Sequence, residues 1–128
     1  MRFLIDTHVF LWFIAGDTRL SKKVRQAIED EANEVLLSVA SVWEIAIKTS
    51  VGKLTLAKPF AELIPEQIAD NEIDVLPIHF DELKIVSALP LYHRDPFDRL
   101  LLAQTITHGV PIASDDANFV QYGISLLW

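Results

Sequence analysis

Five short apolar runs, RFLI (2–5), VLL (35–37), IDVLPI (73–78), VPIA (110–113) and ISLLW (124–128), are separated by stretches with helical patterning. Strands this short and this continuously apolar are buried on both faces, so helices must cover the sheet above and below. Between the runs, residues 8–15 read as a short helix ended by Gly16. In LSKKVRQAIEDEA, Leu20, Val24, Ala27 and Ile28 recur every three or four positions, with Ser21 as N-cap. ASVWEIAIKTS is helical to near Gly52, and Pro59 opens PFAELIPEQIADN, which Pro65 is expected to kink or split. FDELKIVSAL is stopped by Pro90, DPFDRLLLAQTITHG ends at Gly109, and ANFVQY forms a helical turn. The alternation predicts one α/β domain over residues 1–128, with helices on both faces of a mostly parallel sheet of four to five strands.

In such sheets, sites form outside the carboxyl ends of the strands. Four carboxylates fall where that edge must lie. Asp6 ends the first run, Glu44 sits early in the helix after the second, Asp98 is near the start of a crossover helix, and Asp116 follows the fourth run. Carboxylates gathered on one rim repel one another unless a cation sits among them, and hard divalent ions such as Mg²⁺ take oxygen ligands in that number. The pattern points to metal-assisted phosphate chemistry.

Each acid also has a purely structural explanation. Asp6 is placed to cap the following helix. Glu44 either closes a capping box with Ser41 or, if Ser38 is the cap, lies inside an apolar helix and pairs with Lys48. Asp95 fits N-cap, Pro96 fits the first helical position, and Asp98 falls where the helix dipole favours negative charge. Asp115 and Asp116 are adjacent, so one of them faces solvent. His8, His79, His93 and His108 lack metal-ligand spacing and read as surface or packing residues. Trp12 and Trp43 fall on apolar faces and are assigned to the core, whereas Trp128 covers either the sheet edge or a partner surface.

Bulk properties narrow the classes further. With 51% hydrophobic residues in 128, the chain buries a core and is not disordered. Four glycines and no Gly-rich phosphate loop argue against nucleotide binding. The absence of cysteine removes disulfide and thiolate-zinc sites and fits a cytoplasmic location. MRFLIDTHVFLWFIAG superficially resembles a signal sequence, but Asp6 and His8 interrupt it and only Arg2 precedes it. No apolar run spans a membrane, so none is expected as a partner. The net charge of −7 argues against a general nucleic-acid binder but not against a nuclease, since without the four acids it becomes −3. Arg19, Lys22, Lys23, Arg25, Lys48, Lys53, Arg94 and Arg99 are candidates for a substrate-facing basic patch.

FLIDTHVFLW, SVWEIAIKTSVGKL, HRDPFDRLLLAQ and IASDDANFVQYGISLLW, in that order, resemble the PIN-domain nucleases, specifically the VapC-type toxins of bacterial toxin–antitoxin pairs. The resemblance runs over essentially the whole chain. It implies a three-layer α/β/α domain and an endoribonuclease that uses Mg²⁺ or Mn²⁺. It also implies metal-holding and catalytic roles for Asp6, Glu44, Asp98 and Asp116, with Asp116 rather than Asp115 matching the fourth acid. Asp6 and Asp98 would hold the principal metal directly. The family further implies an RNA substrate, a homodimer and a cognate antitoxin protein. One rival is a PIN-like binding module without catalysis, against which the intact acid set argues. Another is a small-molecule metal-dependent phosphohydrolase; its haloacid-dehalogenase form needs a second Asp where this chain has His8.

Overall fold

The structure, a computed structural model, describes all residues 1–128. Five strands, β1 (Arg2–Ile5), β2 (Glu34–Ser38), β3 (Asp74–Leu76), β4 (Ile112–Ala113) and β5 (Leu126–Leu127), form one sheet in the order β3-β2-β1-β4-β5. Every pairing is parallel, including Phe3 with Val35, Leu4 with Ile112, Leu37 with Val75 and Ile112 with Leu126. The chain steps outward from β1 to β3, then returns past β1 to place β4 and β5 on its other side. The order therefore reverses between β1 and β4, the point at whose carboxyl edge open parallel sheets place their sites.

Side chains alternate across the strands and sort the helices into two layers. Phe3, Ile5, Val35, Leu37 and Ala113 face one core with Val9 and Phe10 of α1 (Thr7–Ala15), Val24 and Ile28 of α2 (Lys22–Glu29), Ile45 of α3 (Val39–Ser50) and Ile64 of α4 (Phe60–Asp70). Leu4, Leu36, Leu76 and Ile112 face the other, with Leu101 and Leu102 of α6 (Pro96–His108) and Phe119 of a 3₁₀ turn (Ala117–Tyr122). α5 (Phe80–Ala88) packs against α6. The result is the expected three-layer α/β/α arrangement. No helix is long and apolar enough to cross a membrane.

Local signals set the helix ends. Ser21 accepts from the Val24 amide (3.2 Å) and Asp95 from the Asp98 amide (2.9 Å), with Pro96 in the first turn of α6. Gly16 and Gly109 close α1 and α6 at φ of 64° and 62°, a conformation that costs glycine little. Two expectations need correction. Pro65 does not split α4, which runs unbroken from Phe60 to Asp70. Its missing N–H deprives only the Ala61 carbonyl in the first turn, and its ring then occupies the second turn. Trp43 is not a core residue: it is 59% exposed, because the face of α3 that carries Val39, Trp43, Ile47 and Val51 turns away from the sheet.

Candidate active site

Asp6 is the residue at which β1 stops. Its backbone amide still pairs with Ala113 of β4 (3.1 Å), while its side chain caps α1 by accepting from the Val9 amide (2.7 Å). Burial pushes its carboxyl pKa up, and the charge of Asp115 adds to this; the Ser114 hydroxyl, the Val9 amide and His8 act the other way. Ser114, fully buried at the end of β4, also accepts from the Asp116 amide at 3.0 Å. One hydroxyl thus ties the ends of β1 and β4, the strands between which the sheet order reverses.

Asp116 caps the 3₁₀ turn, its Oδ1 accepting from the Asn118 amide at 2.9 Å, and Asp115 beside it is exposed. Of the adjacent pair, Asp116 lies beside Asp98, while the charge of Asp115 acts on Asp6. Ser38, not Ser41, caps α3 by accepting from the Ala40 amide (3.1 Å), so Glu44 lies inside the helix. Its side chain is 7% exposed, and both oxygens have partners. Lys48 Nζ stands 2.7 Å from Oε2, the expected helical ion pair. Thr7 Oγ1 stands 2.7 Å from Oε1 and 2.9 Å from Ser41 Oγ; with one proton to give, it donates to the carboxylate.

Asp98, one turn into α6, binds the set together electrostatically. Its pKa is pushed up to about 7, first by burial and then by the charge of Asp95, with Glu44 and Asp6 adding to the effect and His93 opposing it. Four carboxylates from four separate segments therefore share one rim. Such crowding raises the cost of ionisation until a cation compensates it. The donor set consists of carboxylate oxygens backed by hydroxyls, with no thiolate, and this suits a hard divalent ion.

His93, which its spacing places at the surface or in packing, belongs to this site instead. Its Nε2 lies 3.0 Å from an oxygen of Asp98 and 3.0 Å from one of Asp116, and its ring stacks on Phe119 with centroids 5.7 Å apart. No sequence spacing exposes this role, because His93 approaches Asp116 across 23 positions. Thr7 was missed for a similar reason, its partner lying 37 positions away.

The basic candidates divide by their partners. Arg99 is committed internally: its guanidinium donates to the carbonyls of Val86 (2.9 Å), Leu89 (3.2 Å), Pro90 (3.0 Å) and His93 (3.2 Å). Arg25 donates to the Asp17 carbonyl at 3.2 Å. Arg19, paired with Asp17 at 2.7 Å, joins Lys48 and Lys53 along a groove of about 440 Å³ that also contains His8 and Trp12. Lys48 connects this groove to Glu44.

A family model described as PIN domain matches residues 3–124. Ribonuclease VapC22 of Mycobacterium tuberculosis is 32% identical over 114 residues, covering 88% of this chain and 85% of that protein. Ribonuclease VapC16 of the same organism is 41% identical over 46 residues, 36% of this chain and 33% of that one. Among solved structures, VapBC2 from Rickettsia felis bound to a promoter DNA fragment superposes with a TM-score of 0.73 at 10% identity, over 100% of this chain and 99% of that one. FitAcB from Neisseria gonorrhoeae superposes with a TM-score of 0.64 at 19% identity, over 98% and 96% of the two chains. At these identities the structural likeness speaks to the fold.

Proposed function

The chain belongs to the PIN-domain family, and on that premise we propose that it is a divalent-metal-dependent endoribonuclease acting as the toxin of a toxin–antitoxin pair. The observation that carries the reading is the placement of Asp98 on one rim with Asp6 and Glu44, where burial first, and then the charges of Asp95, Glu44 and Asp6, push its pKa up to about 7. Asp6 and Asp98 would hold the ion, which is Mg²⁺ or Mn²⁺ in this reading. Asp116 would complete the pocket, and Glu44, its oxygens engaged by Thr7 and Lys48, would act from further out through water. When bound, the metal supplies an acidified water and neutralises charge on the phosphodiester oxygens. The protein's own part is to keep the carboxylates facing inward, and the Ser114 and Thr7 hydroxyls support that orientation.

An overall charge of −7 leaves substrate approach to local cations. Lys48, Lys53 and Arg19 beside Trp12 offer phosphate contacts and an aromatic face next to the acids. A cognate antitoxin would neutralise the enzyme by occupying the acidic cleft. The exposed row of Trp43, Ile47 and Val51, with Phe97 edge-on to Trp43 at 5.3 Å, supports pairing of two copies through α3. The decisive test is cleavage of single-stranded RNA by the purified chain in Mg²⁺. Cleavage abolished by EDTA and restored by excess Mg²⁺ or Mn²⁺ is the expected result. No cleavage of any RNA by metal-loaded, folded protein would leave only a binding module.

A further inference from the structure

His93 is held on every side by the two elements that carry Asp98 and Asp116. Its backbone amide donates to Tyr122 Oη (2.8 Å), whose own hydroxyl donates to the Pro90 carbonyl (2.7 Å). Its carbonyl accepts from Arg99 (3.2 Å), and its ring lies on Phe119 at an interplanar angle of 25°. The ring is therefore a fixed part of the site.

The hydrogen-bonding role of the other ring nitrogen decides what Nε2 does. Nδ1 accepts from the Asp95 backbone amide at 3.3 Å. A neutral imidazole that accepts at Nδ1 carries its proton on Nε2. Histidines that ligate metals through Nε2 show the opposite arrangement, with the second nitrogen donating outward. Here Nε2 hydrogen-bonds Asp116 Oδ2 at 3.0 Å, and an oxygen of Asp98 lies against the same ring edge at 3.0 Å without hydrogen-bond alignment. Asp116 is further constrained through Oδ1 by the Asn118 amide.

We propose that His93 is a positioning residue of the metal centre. Its Nε2–H donates to Asp116 and holds that carboxylate beside Asp98, and it is not itself a ligand. This rests on the metal-dependent reading above. Without the donor, two like-charged groups at this distance swing apart, and the ion loses its preformed oxygen pair. Loss of such an outer-shell partner typically costs roughly 10–100-fold in metal affinity.

The test uses Mn²⁺ binding by calorimetry on the full chain, with melting curves to establish folding. His93→Phe keeps a ring to stack on Phe119 but has no donor; affinity should fall roughly 10–100-fold. His93→Gln gives up the ring but places an amide N–H near the Nε2 position, and affinity should return to within a few-fold of the unsubstituted chain. Equal binding by His93→Phe and the unsubstituted chain overturns the inference. So does a His93→Gln as weak as His93→Phe, the result expected if Nε2 were a ligand. Asp98→Asn serves as the control for the metal reading. If the unsubstituted chain binds no Mn²⁺, or binds it as Asp98→Asn does, that reading fails and this one with it. A long-range ¹H–¹⁵N spectrum of the metal-free, unsubstituted chain needs no variant at all. With the imidazole neutral it should show Nδ1 unprotonated and Nε2 protonated; a proton on Nδ1 overturns the assignment.

Discussion

At the scale of single residues, Asp95 and Asp98 separate two roles in one helical turn. Asp95 caps α6 through the Asp98 amide, and Asp98 faces the other acids. Asp98→Asn should abolish RNA cleavage in a folded protein, a loss greater than the roughly 10–100-fold typical of an outer-shell change. Asp95→Asn should cost far less, since Asn is also a good N-cap and the substitution removes a charge that opposes ionisation of Asp98. Single-turnover rates of the two variants decide this, and a larger defect in Asp95→Asn would reverse the assignment of cap and ligand. The raised Asp98 pKa also sets a pH dependence. The metal-free native chain keeps a proton to about pH 7 that an unfolded chain releases near the ordinary value of 3.8. Its contribution to metal-free stability therefore falls as pH rises between those values and is flat above. Metal must displace the same proton, so Mn²⁺ affinity should climb with pH up to about 7 and then level off. Calorimetry across that range, showing no change, would mean that Asp98 is already ionised at low pH.

At the scale of elements, Arg99 is the clasp between helices. Counted in sequence among the residues available to RNA, it is instead bound to four carbonyls at the end of α5 and in the segment that leads into α6. These are charge-assisted bonds, one to Val86 near the end of α5 and three to carbonyls of the irregular segment that follows it. Arg99→Met keeps the aliphatic stem and removes the donors. It should lower stability by roughly 2–3 kcal/mol, with part of the loss recovered by water at the exposed carbonyls. A urea midpoint unchanged from that of the unsubstituted chain would show that the clasp carries no load. Arg99 also holds the carbonyl of His93, so the same variant should weaken metal binding while leaving the strands intact. The α3 helix shows the same division between pattern and context. Its apolar residues extend beyond the face that packs on the sheet, and Trp43 and Ile47 stay exposed.

At the scale of the whole molecule, the acid rim trades stability for function. Burial and mutual repulsion of carboxylates weaken the metal-free fold, and a bound ion reverses both. Metal that binds only the native state stabilises it by RT ln(1 + [L]/Kd), roughly 2.7 kcal/mol at about 100 times Kd, which should raise Tm by several degrees. The Asp6→Asn/Asp98→Asn double variant should melt near or above the metal-free parent and ignore Mg²⁺. Melting curves in EDTA, Mg²⁺ and Mn²⁺ check both statements. Equal metal responses in parent and variant would place the ions elsewhere.

Along the chain, element identity was legible because it depends on local periodicity and local stop signals. Ser21, Asp95, Pro96, Gly16 and Gly109 act within one turn of their own position, and all mark observed boundaries. The parallel sheet followed too, since doubly buried strands leave no alternation of polar residues to read. So did the gathering of Asp6, Glu44, Asp98 and Asp116 on one rim, because crossover helices return every such position to the carboxyl edge. What remained out of reach depends on distance in space alone. Ser38 and Ser41 are equally good caps on paper, and only the start of α3 against β2 chooses between them. Trp43 and Ile45 are both apolar, but only Ile45 has a sheet beneath it. His93, set in a segment without regular structure, meets Asp116 only because the 3₁₀ turn after β4 folds back over the start of α6. Hydrogen bonds between segments leave no period in a sequence, so the donor that orders this site emerges only once the sheet has brought its edges together.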